Sequence, residues 1–154
     1  MASPLANKKL AQVAFVTRDI ETLKARWAAI LGVEAPNTIV TDPGLQRRMT
    51  TRGIPSDAMC KLAFFDLGGV QLELIEPIGE GASTWHEGLA EGEGFHHIAF
   101  WTENMREVKE TLDAAGAPLV QRGDMGDGQY AYFDGVGQLL TRIEVLEKVR
   151  TELE

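Results

Sequence analysis

The chain has 154 residues, 44% hydrophobic and 25% charged, the size and make-up of one ordinary folded domain, which excludes collagen, coiled coil and extended disorder. With 15 basic against 23 acidic residues the formal charge is −8, which argues against nucleic acid or an anionic membrane as a partner. Cys60 is the one cysteine and has no intrachain partner; Met1 to Lys9 lacks a signal-like apolar core, and no apolar run approaches the about 20 residues of a membrane span, so the expected location is cytoplasmic.

Gln12-Val-Ala-Phe-Val-Thr-Arg-Asp19 reads as a short strand ending at a helix N-cap. The helix follows as Ile20, Leu23, Trp27, Ile30 and Leu31, an apolar stripe at helical spacing stopped by Gly32. Ala35 to Thr41 is a weak strand candidate, Pro43 to Pro55 reads as a loop over whatever the chain encloses, and Lys61 to Leu67 is a clear strand. Gln71-Leu-Glu-Leu-Ile-Glu-Pro77 closes this half. A Gly- and Glu-rich segment, 78–93, follows, with a short helix expected around Trp85 to Ala90.

The second half repeats the first. His97-Ile-Ala-Phe-Trp-Thr-Glu-Asn104 echoes residues 12–19, and Met105, Val108 and Leu112 form a helical stripe capped by Asn104 and stopped by Gly116. Leu119 to Arg122 and Gln129 to Asp134 are strand candidates, and Arg142-Ile-Glu-Val-Leu-Glu-Lys148 closes the half as Gln71 to Pro77 closed the first. Each half therefore reads β-α-β-β-β. The expectation is an α+β fold in a single domain, residues 1–154, built from modules 8–77 and 94–148 joined by linker 78–93.

Strand side chains alternate between faces, so the apolar neighbours of a polar residue show where it points. Gln12 is followed by Val13 and Phe15, Glu73 lies between Leu72 and Leu74, His97 precedes Ile98 and Phe100, and Glu144 lies between Ile143 and Val145. These four residues thus share the face away from the helices, and the repeat pairs Gln12 with His97 and Glu73 with Glu144. An imidazole, two carboxylates and an amide oxygen can chelate a divalent ion such as Zn, Ni, Co, Mn or Mg. Any one strand glutamate could equally face solvent, and His96-His97 could be a surface pair. The matched positions favour the metal set.

At these residues the sequence resembles the vicinal oxygen chelate superfamily, which includes glyoxalase I, methylmalonyl-CoA epimerase, extradiol dioxygenases and bleomycin-binding proteins. The resemblance spans about Leu10 to Glu147 and is most specific in Gly94-Phe-His-His-Ile-Ala-Phe100, Leu72-Glu-Leu-Ile-Glu-Pro77 and Ile143-Glu-Val-Leu-Glu147. It implies two tandem βαβββ modules forming a cupped, partly open mixed-sheet barrel around a metal site, with Gln12, Glu73, His97 and Glu144 as ligands of one divalent ion. It also implies a homodimer. The ligand combination is similar to that of eukaryotic-type glyoxalase I, whereas the surrounding sequence and length are more similar to the epimerases. Gln12 counts against extradiol dioxygenases, which need two histidines and a carboxylate on Fe(II).

The resemblance implies a metal-dependent isomerase or lyase that abstracts a proton alpha to a carbonyl in a small-molecule substrate. Glu144 is then the expected base, Glu73 a ligand and possible partner, and Asp57 a second acid or base. The alternative is a non-catalytic small-molecule binding protein of the bleomycin-resistance type. Arg142, of the same strand parity as Glu144, is expected in the cup, where an anionic group could meet it. Trp101 and Tyr132 are expected to wall the cup, and Tyr130 shares the face of Tyr132. Arg47-Arg48, in the insertion, could contact a phosphate-bearing substrate or simply be solvated.

Overall fold

The computed structural model describes Leu5 and residues 8–153. Strand β1 (Leu10–Val16) leads into helix α1 (Ile20–Leu31), whose first turn is capped by the Asp19 carboxylate accepting from Thr22 N–H, and whose end is turned by Gly32 at φ +66°. Strands β2 (Ile39–Val40), β3 (Thr50–Thr51), β4 (Ile54–Pro55), β5 (Met59–Asp66) and β6 (Gln71–Ile78) complete the first half. Helix α2 (Thr84–Glu91) occupies the linker. The second half is β7 (Gly94–Thr102), α3 (Met105–Ala114), β8 (Leu119–Met125), β9 (Gly128–Phe133), a short α4 (Val136–Leu139) and β10 (Arg142–Glu147). Among the described residues no helix is long and apolar enough to cross a membrane.

Among the described residues the ten strands form one curled mixed sheet in the order β2-β5-β6-β1-β7-β10-β9-β8-β3-β4. The two halves meet antiparallel at β1 and β7, and each of those strands is flanked by its own parallel partner, β6 or β10. The registers of the halves match: Gln12 faces Gln71 and Ala14 faces Glu73 as His97 faces Arg142 and Ala99 faces Glu144. A pseudo-two-fold thus runs between β1 and β7, as the repeat predicts.

Alternation sorts the core into three bodies. Ile20 and Ala28 of α1 pack with Ala63, Phe65, Leu72 and Leu74 on the outer face of the first half. Met105 and Val108 of α3 pack with Ala131, Phe133, Ile143 and Val145 on the second. The inner face is lined by Val16, Cys60, Ile75, Tyr130, Tyr132 and Leu146, with Trp85 of α2 set against them.

Two expected elements differ. The strand predicted at Ala35 to Thr41 shrinks to Ile39–Val40, both exposed at the sheet edge, where alternation has no second face to bury. The insertion is not a plain loop: Gly44–Arg47 forms a 3-10 turn, and β3 and β4 form a hairpin that joins β8 of the other half. Met49 anchors it, 1% exposed within the inner cluster.

Each closing strand also anchors the helix outside it. Glu76 accepts from Ile20 N–H at 3.1 Å, and Glu147 accepts from Met105 N–H at 2.7 Å, both at helix N-termini where negative charge is favoured. Glu147 further accepts from the Gln129 amide (2.9 Å) and from Thr151 N–H and O–H. Burial alone would raise its carboxyl, but these donors hold it below the ordinary carboxylate value. A lowered folded pKa contributes stability above the ordinary value, and that stability is lost as pH falls through the folded one. Glu147→Gln should therefore cost about 2 kcal/mol at pH 7. In urea denaturation the gap to the parent should close as the pH drops toward 3; a constant gap would assign the loss to packing alone.

Candidate metal centre

Four adjacent strands, β6-β1-β7-β10, bring Glu73, Gln12, His97 and Glu144 to one point of the inner face. The central strands carry Ala14 and Ala99 beside them, both fully buried, and these small side chains leave room between the polar groups. Gln12, Glu73 and Glu144 are at most 7% exposed and His97 is inaccessible.

His97 Nε2 lies 2.9 Å from Glu144 Oε2 and 3.4 Å from Glu73 Oε2. This buried nitrogen makes no hydrogen bond of good geometry among the described residues. The Gln12 amide donates through Nε2 to Gln71 Oε1 at 3.0 Å. Its oxygen then lies 2.9 Å from Glu144 Oε2 and 3.2 Å from Glu73 Oε2; only with the amide turned over would nitrogen stand there and donate to both. With the amide oxygen inward, three oxygens and a nitrogen converge as a cation would require; with the nitrogen inward, the amide bonds both carboxylates instead. Bonds of about 2.1 Å to one ion would put neighbouring ligand atoms about 3.0 Å apart in an octahedron and about 3.4 Å apart in a tetrahedron. The spacings of 2.9–3.4 Å fit both. Glu73, His97 and Glu144 can offer ligand atoms all within 4.8 Å of one another.

Without an ion, a proton must take its place. Burial raises Glu73, and the charge of Glu144 adds to the rise. Burial alone would lower His97, but Glu144 and Glu73 outweigh it and lift the imidazole to about 9.

His96, which alternation places on the opposite face, joins the site instead. Ala14 pairs with His97 while Phe15 pairs with Phe95, so His96 is the extra residue of a β-bulge, which re-aims its side chain. It is 1% exposed; Gly88 of α2 makes room, since a Cβ there would stand 2.6 Å from the ring. Burial holds His96 well below the ordinary histidine value, so it is neutral with one proton. Its Nε2 lies 2.9 Å from the Thr84 carbonyl, which can only accept, so the proton is there. Its Nδ1 must then accept from His97 Nδ1–H at 2.8 Å. This relay leaves His97 Nε2 to face the carboxylates, as a metal-binding imidazole requires.

The remaining expected residues are distributed around this centre. The Tyr132 ring lies 5.0 Å from that of His97 and takes a hydrogen bond from Trp85 Nε1 at 3.0 Å. Tyr130 packs 5.7 Å from Tyr132 and is buried with it. Arg142 sits against α2, 3.4 Å from the Glu91 carboxylate. Trp101 packs on the inner cluster with Lys148 Nζ 5.6 Å from its ring centre. Asp57 is not brought to the four: it is exposed and accepts from Leu45 N–H at 3.1 Å, bracing the 3-10 turn.

A family model described as "Glyoxalase/Bleomycin resistance protein/Dioxygenase superfamily" matches residues 11–133. The protein YqjC of Bacillus subtilis (strain 168), described as uncharacterized, is 36% identical over 61 residues, covering 40% of this chain and 44% of that one. The chain therefore matches less than half the length of that relative. Among solved structures, hypothetical protein BH1468 of Bacillus halodurans C-125 aligns with TM-score 0.61 at 19% identity over 94% of this chain and 96% of that one. A Streptomyces coelicolor methylmalonyl-CoA epimerase aligns with TM-score 0.62 at 18% identity over 94% and 98%. That of Mycobacterium tuberculosis aligns with TM-score 0.58 at 17% over 90% and 86%. At these identities the likeness establishes the fold.

The His96 relay predicts that His96→Phe, which keeps the ring volume and removes both hydrogen bonds, weakens divalent metal affinity about 10- to 100-fold. Competition with a chromophoric chelator reads this directly, and unchanged affinity would show that His96 only fills space.

Proposed function

The chain belongs to the glyoxalase/bleomycin resistance protein/dioxygenase superfamily, and on that footing we propose that it is a divalent-metal-dependent isomerase or lyase that removes a proton alpha to a carbonyl. The observation that carries this reading is the convergence of buried Gln12, Glu73, His97 and Glu144 on one point of the inner face, the last three offering ligand atoms within 4.8 Å of one another. A divalent ion bound there would polarise the substrate's carbonyl oxygen and stabilise the negative charge that develops on it as the proton leaves.

The side chains divide the remaining work. Gln12, Glu73 and His97 are assigned to holding the ion together with Glu144, and His96 to fixing the imidazole tautomer. Glu144 is assigned to the proton: on β10 it stands opposite Tyr132, beside the aromatic wall against which a substrate would lie, whereas Glu73 stands opposite Phe64 on the other flank. A carboxylate placed this way typically contributes about 10²–10⁴-fold. Trp85 holds Tyr132 by its hydroxyl, which fixes that part of the wall.

Metal content per chain, measured by elemental analysis, should be near one divalent ion and should fall to background in the Glu73→Ala/Glu144→Ala double variant. In D₂O the loaded protein should exchange the α-proton of methylmalonyl-CoA or of a 2-oxoaldehyde–thiol adduct. Glu144→Gln, which keeps an oxygen for the ion, should retain most of the metal and lose about 10²–10⁴-fold in exchange rate. Full metal with no exchange on either probe would instead favour a binding protein that holds a small molecule without turning it over.

A further inference from the structure

We propose that Arg47 forms the anion subsite of this cup, binding a carboxylate that the substrate carries in addition to the oxygens at the metal centre; the proposal rests on the metal reading above. Arg47 Nε and Nη2 are buried and have no hydrogen-bond partner among the described residues. Its guanidinium carbon lies 5.8 Å from the centre of the Tyr130 ring. Tyr130 leads through Tyr132 to His97, with successive ring centroids 5.7 and 5.0 Å apart. The free cation therefore borders the same aromatic wall as the four donors.

The two arginines of the insertion have different fates. Arg48 turns outward at φ +47° and pairs with Asp124 at 2.7 Å, while its carbonyl accepts from Arg122. Among the described residues Arg47 has no carboxylate partner, and the backbone on either side of it is packed in place. Gly44 is so close to Ser56 that a Cβ would stand 2.3 Å from its carbonyl oxygen, and Met49 is buried in the inner cluster. Burying guanidinium nitrogens without a counter-charge is costly, so the arrangement calls for an anion that arrives with the ligand.

Charge and shape identify that anion. With a divalent ion in place, Glu73, Glu144 and neutral His97 bring the metal centre to zero, and among the described residues the charge of Arg47 beside it is left without a counter-charge. The free nitrogens, Nε and Nη2, are the two donors on one edge of the guanidinium plane. That edge matches both oxygens of a carboxylate in a bidentate pair.

Calorimetric titration of the Co²⁺- or Zn²⁺-loaded protein tests this with 2-oxo diacids and their mono-acid counterparts: 2-oxoglutarate and 2-oxoadipate against 2-oxopentanoate and 2-oxohexanoate. The parent should bind at least one diacid about 10- to 100-fold more tightly than its counterpart. Arg47→Met should erase that preference while leaving mono-acid binding and metal content unchanged, and Arg47→Lys should restore only part of it. No diacid preference in the parent, a preference that survives Arg47→Met, or an equal loss for both acid types would overturn the proposal. An Arg47-dependent preference in a protein that takes up no metal would instead retain the subsite and remove the metal reading.

Discussion

Two carboxylates buried within 3.4 Å of the same imidazole nitrogen impose the constraint on which this molecule is built. Desolvation and like charge both oppose such a pair unless a cation stands between them. Small alanines beside the donors leave the space for one. The relay from Thr84 through His96 to His97 turns the imidazole's second nitrogen toward it, and with its oxygen inward the Gln12 amide donates to Gln71. For the imidazole, an uncharged hydrogen bond outside the centre dictates which atom faces inward.

The same two strands carry the packing. Side chains alternate along a strand, so residues three apart lie on opposite faces. Glu73 and Glu144 point into the cup; Glu76 and Glu147, three residues later, point outward and hold the N-termini of α1 and α3. One strand thus ties a ligand to a helix in each half. A slip of one residue in β6 or β10 would expel the ligand and release the helix together, so the register is specified twice.

These relations explain what was legible in the sequence. The parity of Gln12, Glu73, His97 and Glu144 could be read because each sits among apolar residues that must face a helix, and the caps at Asp19 and Asn104 marked where those helices begin. The places of His96, Arg47 and Asp57 were not legible. His96 reaches the site through a bulge, and alternation carries no information about where a strand gains a residue. Arg47 and Asp57 lie on either side of a hairpin that pairs with β8, a partner more than 60 residues onward in the chain. Nothing local to Arg47-Arg48 distinguishes the arginine that is paired from the one that is not; that depends on Asp124.

The pseudo-two-fold is strict at the donors and broken at the walls. By register, Leu62 and Phe64 of β5 correspond to Tyr130 and Tyr132 of β9: Leu62 faces Ile75 and Phe64 faces Glu73, as Tyr130 faces Leu146 and Tyr132 faces Glu144. One flank of the centre is therefore hydrocarbon and the other carries hydroxyls fixed by Trp85 and Gln121. The insertion deepens the difference, because it leaves the first half to lie against β8 and sets Arg47 over Tyr130. A symmetric set of ligands can hold an ion but cannot tell one end of a substrate from the other. Orientation has to come from the residues that break the symmetry, and here those residues put the polar and cationic groups on the same flank as Glu144. A substrate whose anionic end is drawn to that flank would present its adjoining carbon to the carboxylate assigned to take the proton.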